Sequence, residues 1–267
     1  GSPAGFGVSP DISLPTLLVP TTVSVAATSG RALLQDFEKD GTLLSLNVAG
    51  PGPFGVGQGL QPKEVIADPE LTAWQSSRGV AAAATHTLST FVDAIAAASG
   101  TIKAEMLWAD MADGLTAVSS ALRDPQGAKV DALLGALSAG VAASDADANA
   151  RGKICVIHSL ACVAVGTWLG LSFPVAVSAL LPPVLREWVT QGSNEEIISL
   201  ERLASHVLRM PDAKVDDLAA WVEQRCFSSG VLLPNVTCGV ATEAAAAALA
   251  HHALLSPALL QRPAPDW

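Results

Sequence analysis

The chain has 267 residues, with 15 Lys plus Arg against 25 Asp plus Glu and a formal net charge of −10. Half of it is apolar and only 15% is charged, below the roughly 25% of an ordinary soluble domain, so much of the surface is small side chains or lies against a partner. The acidic balance, the scattered Lys and Arg and the absence of Tyr disfavour a nucleic-acid ligand, which calls for clustered cations and stacking aromatics.

Residues 1–67 read as an extended N-terminal arm and residues 68–267 as a helical body. The arm is rich in Gly and Pro, with strand-like pieces at Leu17-Leu18-Val19 and Thr22 to Val25. Arg31 to Lys39 reads as a short helix, and Thr42 to Val48 as a strand ended by Gly50-Pro51-Gly52-Pro53. Leu17, Leu18, Val19, Phe37, Leu44 and Leu46 need covering in an arm with no core of its own, and are assigned to an interface. Gly50 to Gly55 has the spacing of a dinucleotide loop. Pro51 and Pro53 remove N–H donors there, and Gly57, Gly59 and Pro62 block the helix such a loop must open, so it reads as a plain loop.

Asp68-Pro69-Glu70 is a helix start, and that helix runs to about Ser99 with an interruption near Gly79. A second helix spans Ile102 to Leu122, stopped by Asp124-Pro125, and a third covers Ala128 to Ala143. Glu105, Asp110 and Asp113 on the second read as a solvated face. Asp145 to Gly152 reads as a polar link. It has carboxylates at alternate positions, but Ala150 and Val156 stand where a calcium loop needs Gly and Glu.

Ile154 to Leu185 is the longest uncharged stretch, with breaks at Phe173-Pro174 and Pro182-Pro183. It reads as the central buried helix of a bundle, with a membrane-inserting hydrophobic hairpin as the alternative. Cys155, His158 and Cys162 share one helical face there, and a core reading is preferred to zinc, which needs a fourth ligand.

Ser193 with Glu196 forms a capping box ahead of a face made by Ile197, Leu200, Ala204, Val207 and Leu208. Pro211-Asp212 opens the next helix, with Val215, Leu218, Val222 and Cys226 at helical spacing. Cys226 and Cys238 flank a Gly/Pro segment and could pair in an oxidising compartment. A loop from Gly230 to Gly239 leads to an Ala-rich helix, Val240 to Leu255. His251 and His252 within it point about 100° apart and cannot chelate one ion as i, i+4 histidines do. Gln191-Gly192-Ser193-Asn194-Glu195, followed by Arg202-Leu203, resembles the major homology region of retroviral capsid proteins, with the Glu-to-Arg spacing one residue short.

The fold class that follows is all-α: a multi-helix bundle or irregular array of about 7–9 helices with an extended, strand-bearing arm. No catalytic residue, metal ligand or cofactor is assigned. The function expected is a non-catalytic assembly subunit of capsid, coat or supernumerary type, whose partners are other copies of itself or subunits of a larger complex. A membrane-inserting protein is the alternative, and an enzyme without a recognisable motif ranks third.

Overall fold

The computed structural model describes residues 17–23, 64–149 and 172–232, the paired strands at 32–37 and 43–48, and Ile157 and Ala161. Two short sheets precede the helices. Strand β1 (Leu17–Leu18) lies parallel to β4 (Glu64–Val65), and β2 (Ala32–Phe37) runs antiparallel to β3 (Leu43–Val48). Leu34 stands opposite Leu46 and Asp36 opposite Leu44. The helix expected from Arg31 to Lys39 is therefore a strand. Its six residues find a partner in Leu43–Val48, and pairing overrides weak helical propensity.

The helices are α1 (Pro69–Thr72), α2 (Ser77–Ala98), α3 (Ile102–Arg123), α4 (Lys129–Asn149), α5 (Phe173–Gln191), α6 (Asn194–Leu208) and α7 (Val215–Ser228). The described body is all-α, with strand confined to the segment before residue 68. Most helix ends have the local causes read from the sequence. The Asp68 side chain accepts the Glu70 N–H, and Pro69 fills the first turn of α1. Gly100 turns at φ +72° between α2 and α3. Ser193 Oγ accepts the Glu196 N–H at 3.3 Å, while the Glu196 carboxylate accepts the Ser193 N–H at 2.9 Å. Ser193→Ala is expected to cost about 1 kcal/mol, a fall in Tm of roughly 2–4 °C, read by a circular-dichroism melt.

Other boundaries differ. The interruption near Gly79 comes earlier, at residues 73–76, and Ser76 recaps the chain by accepting the Gly79 N–H. Helix α4 continues through Asn149, so Asp145 to Asn149 belongs to a helix rather than a link. Phe173-Pro174 opens α5 instead of breaking it. Pro182 and Pro183 lie inside that helix, where each removes one N–H without ending it. Pro211-Asp212 forms a turn, and α7 begins at Val215 with the Asp217 carboxylate accepting the Lys214 N–H.

Helix α2 is the axis of the body. Every residue from Val80 to Ala96 is buried, and α3, α4, α5, α6 and α7 all pack against it. Its composition allows this. Ala81 to Ala84, Ala94 and Ala96 let neighbours approach closely, and the intervening hydroxyls satisfy themselves. Thr85 donates to the Ala81 carbonyl, Thr87 to that of Ala83, and both Ser89 and Thr90 to that of His86. The apolar run was expected to hold the centre. Ile157 and Ala161 from it are fully buried, but among the described residues the helix enclosed over its length is α2.

Helices α3 and α4 meet through glycines. A Cβ on Gly114 would lie 2.6 Å from Ser138 Cβ and 2.8 Å from Phe91 Cζ, and one on Gly135 would lie 2.6 Å from Val118 Cγ2. Leu200, Ala204 and Val207 of α6 and Val215, Leu218, Val222 and Cys226 of α7 complete the core, as their spacing indicated. Val23 of the arm is also in the core, and its N–H donates to Gln75 Oε1 at 2.9 Å. Among the described residues no helix is long and apolar enough to cross a membrane.

Candidate functional site

Six polar side chains are buried in α2: Thr85, His86, Thr87, Ser89, Thr90 and Asp93. Placing them inside a core has a cost that a purely structural helix avoids. His86, Thr90 and Asp93 follow one another at i, i+4 and i+7, so they form one stripe. His86 is 5% exposed and Asp93 2%. The Asp93 carboxylate accepts the N–H of Ile157 at 3.3 Å. The His86 ring meets Phe173 edge-on, with centroids 5.1 Å apart and planes at 74°. The stripe therefore lies where the chain at Ile157 and the first turn of α5 come against the central helix.

Beside it, Thr85 Oγ and Cys226 Sγ are 3.4 Å apart. Burial pushes the Cys226 thiol up, against the opposing effect of its hydrogen bonds with Thr85 and Ser178. A buried thiol held neutral is a packing group rather than a nucleophile. Cys226 is free, so the pairing with Cys238 is not made. The reason is that Cys226 points into the core towards Thr85.

Other sequence candidates fall elsewhere. Cys155, His158, Cys162, Cys238, His251, His252 and the Gly50–Gly55 loop lie outside the described residues. Asp110 and Asp113 are exposed, and Glu105 binds Arg202 through both carboxylate oxygens, at 2.8 and 2.9 Å. That guanidinium also lies over Trp108, 4.6 Å from the ring centroid. The capsid-like residues thus have local roles. Gly192 ends α5, Ser193 caps α6, and Arg202 ties α6 to α3. Of the interface candidates, Leu17 and Val19 are 52% and 44% exposed and Leu18 is half-buried, beside β4. Phe37 ends β2, and Leu44 and Leu46 lie in β3.

The stripe itself was passed over in the sequence. Its signal was a His and an Asp seven residues apart, with Thr90 between them on the same face, in an Ala-rich segment otherwise without ionisable residues. Among the described residues no three His, Cys, Asp or Glu side chains are grouped to hold a metal ion.

No family model matches the chain, and no curated protein matches it in sequence. Solved structures do match. An archaeal halo-thermophilic alcohol dehydrogenase from a Red Sea brine pool superimposes with a TM-score of 0.69 at 13% identity, covering 90% of this chain and 58% of its own. The iron-containing alcohol dehydrogenase of Thermococcus thioreducens gives 0.68 at 16% identity, covering 96% of this chain and 63% of its own. The NADH-dependent butanol dehydrogenase A of Thermotoga maritima gives 0.67 at 14%, covering 92% and 59%. The chain thus spans about six-tenths of the length of these enzymes.

This likeness overturns the expected non-catalytic role. Among the matched structures are alcohol dehydrogenases, a butanol dehydrogenase and a 1,3-propanediol oxidoreductase, so neither a capsid-type or supernumerary assembly subunit nor a membrane-inserting hairpin describes the fold. Motif searches find contiguous signatures, whereas a helical body can assemble a site from residues on several helices. Over nine-tenths of its length or more, the chain has the fold of the alcohol dehydrogenases it matches.

Proposed function

We propose that this chain is an oxidoreductase that interconverts an alcohol and an aldehyde. The observation that supports this reading is the likeness across nine-tenths or more of the chain to alcohol dehydrogenases and to an aldehyde reductase. The buried stripe on α2 agrees with it, since it sets an imidazole and a carboxylate inside an apolar core, where burying such groups is costly.

Two cofactors are named among the matched structures: NAD+ or NADH, and iron. The described residues fit neither. Their strands form two separate pairs, and β4 leads into α1 through Ile66-Ala67-Asp68, which offers no Gly-rich loop to cradle a pyrophosphate; the Gly50–Gly55 loop after β3 lies outside the described residues. Iron needs about three protein donors in one place. One turn from His86 on α2 stand Ala82, Ala83, Ser89 and Thr90, and Phe173 packs on the imidazole. Asp93 is roughly 10 Å along the helix axis from His86 and already accepts the Ile157 N–H. No step is therefore routed through either group.

In this reading the chain's own residues make one wall of the site. His86 is the titratable group that holds or moves a proton beside the reacting oxygen. Phe173 keeps water from the imidazole, and Asp93 fixes the chain at Ile157 against α2. The test is to incubate the protein with NADH or NADPH and a panel of short aldehydes and follow nicotinamide absorbance. Turnover is expected, and His86→Gln is expected to lower it by about 100-fold or more without changing the helical signal. A folded protein that oxidises neither nucleotide with any aldehyde overturns the proposal.

A further inference from the structure

Helices α3 and α6 are tied together at two levels and part between them. At one level Arg202 holds Glu105 through both carboxylate oxygens, at 2.8 and 2.9 Å. At the other, His206 Nε2 lies 3.0 Å from the Ala112 carbonyl oxygen and 3.0 Å from Thr116 Oγ1. Between the ties is an open hollow of about 520 Å³, with Trp108, Ala109 and Ala112 on one side and Ser205 and His206 on the other. The small side chains of Ala109 and Ala112 leave this space.

The same face carries exposed apolar side chains. Ile102, Met106 and Ile198 are 85, 66 and 66% exposed. Ile102, Met106 and Ala109 follow one another at i, i+4 and i+7 on α3, and Ile198, Arg202 and Ser205 at the same spacing on α6, so both rows run alongside the hollow. Single exposed apolar residues are ordinary, but a group of them beside a concave site marks an interaction surface. Trp108 backs the hollow with Arg202 stacked on its ring, and Trp, Met and Arg are residue types enriched at protein interfaces. The charges beside the apolar group are balanced, since Glu105 and Arg202 neutralise each other in a chain whose net charge is −10. The exposed Asp110 and Asp113 stand further along α3, where they form a polar rim.

We infer that this face of α3 and α6 is a docking surface for a second copy of the chain. In a twofold contact the same patch meets itself, so it must carry both halves of the fit. This one does. Ile102, Met106 and Ile198 protrude, and the hollow over Trp108, Ala109 and Ala112 receives them. The charges are self-complementary as well. Each Glu105 carboxylate can take the guanidinium of the other copy's Arg202 in place of its own, with no charge left unpaired. A patch with paired charges selects neither a strongly basic nor a strongly acidic partner, and it does not repel its own copy. It has no residue in common with the α2 stripe, so it stands apart from the proposed oxidoreductase activity.

The experiment is sedimentation of the whole protein over a range of micromolar concentrations, with a circular-dichroism melt of each variant. A monomer–dimer equilibrium is expected. Met106→Asp and Ile198→Asp each set a charge in the contact and are each expected to weaken dimerisation by about 100-fold or more, with the helical signal and Tm kept. Trp74→Asp alters a side chain that is 71% exposed beyond α1, and is expected to leave the dimer unchanged. A monomer at every concentration overturns the inference, as does a dimer that Met106→Asp and Ile198→Asp both retain at full strength or that Trp74→Asp alone disrupts. A monomer whose Tm falls in Met106→Asp and Ile198→Asp shows that the face is covered by its own chain, and overturns the inference equally.

Discussion

Gly114→Val is expected to lower the Tm by roughly 5–10 °C, an overpacking cost of about 2–3 kcal/mol. The backbones of α3 and α4 approach where Gly114 faces Ser138 and Phe91, and a single added Cβ would already stand 2.6 and 2.8 Å from them. Such separations lie well inside van der Waals contact, so the helices must part or Phe91 must leave its place in the core. Phe91 is fully buried and sits on α2, so the disturbance reaches the central helix. Gly79→Ala is the control. Its Cβ would stand 3.1 Å from Gln75 Cγ, so that side chain need yield only a few tenths of an ångström, and helix propensity favours Ala over Gly by about 1 kcal/mol. That variant is expected to melt at or slightly above the parent temperature. If Gly114→Val melts like the parent, the two helices do not approach as closely as this packing requires.

Asp93→Ala is expected to cost about 2–4 kcal/mol and to speed proteolytic cleavage at Ile157. The carboxylate is buried and accepts the N–H of Ile157, so its removal strands a buried donor and leaves space beside α2. Asp93→Asn keeps an oxygen acceptor and is expected to recover most of the stability. Limited proteolysis followed by mass spectrometry reads the local effect, and a circular-dichroism melt reads the global one. Equal stability and an unchanged cleavage pattern in Asp93→Ala would show that the carboxylate does not anchor this part of the chain.

The two variants probe what the sequence left open, while the features it made legible are those whose causes lie within a turn of chain. Asp68 and Ser193 cap helices through N–H groups two or three residues away, and Gly100 supplies a positive φ at the turn it makes. Leu200, Ala204 and Val207, and likewise Val215, Leu218 and Val222, reveal their buried faces by spacing alone. The all-α class follows from such signals, because each helix declares itself separately.

What the sequence could not decide is which helix stands at the centre and what its polar residues meet. An uncharged run suggests burial, so Ile154 to Leu185 drew attention, while α2 carried six polar side chains and passed as ordinary. Those hydroxyls bond back to their own helix, and the Ala side chains between them admit neighbours on every side. Asp93 reaches Ile157 across 64 residues of sequence, and Thr85 reaches Cys226 across 141. The tertiary structure alone made those choices. Capping and helical periodicity act over about four residues, whereas the position of a helix in the core is set by the combined surfaces of all the helices that pack around it.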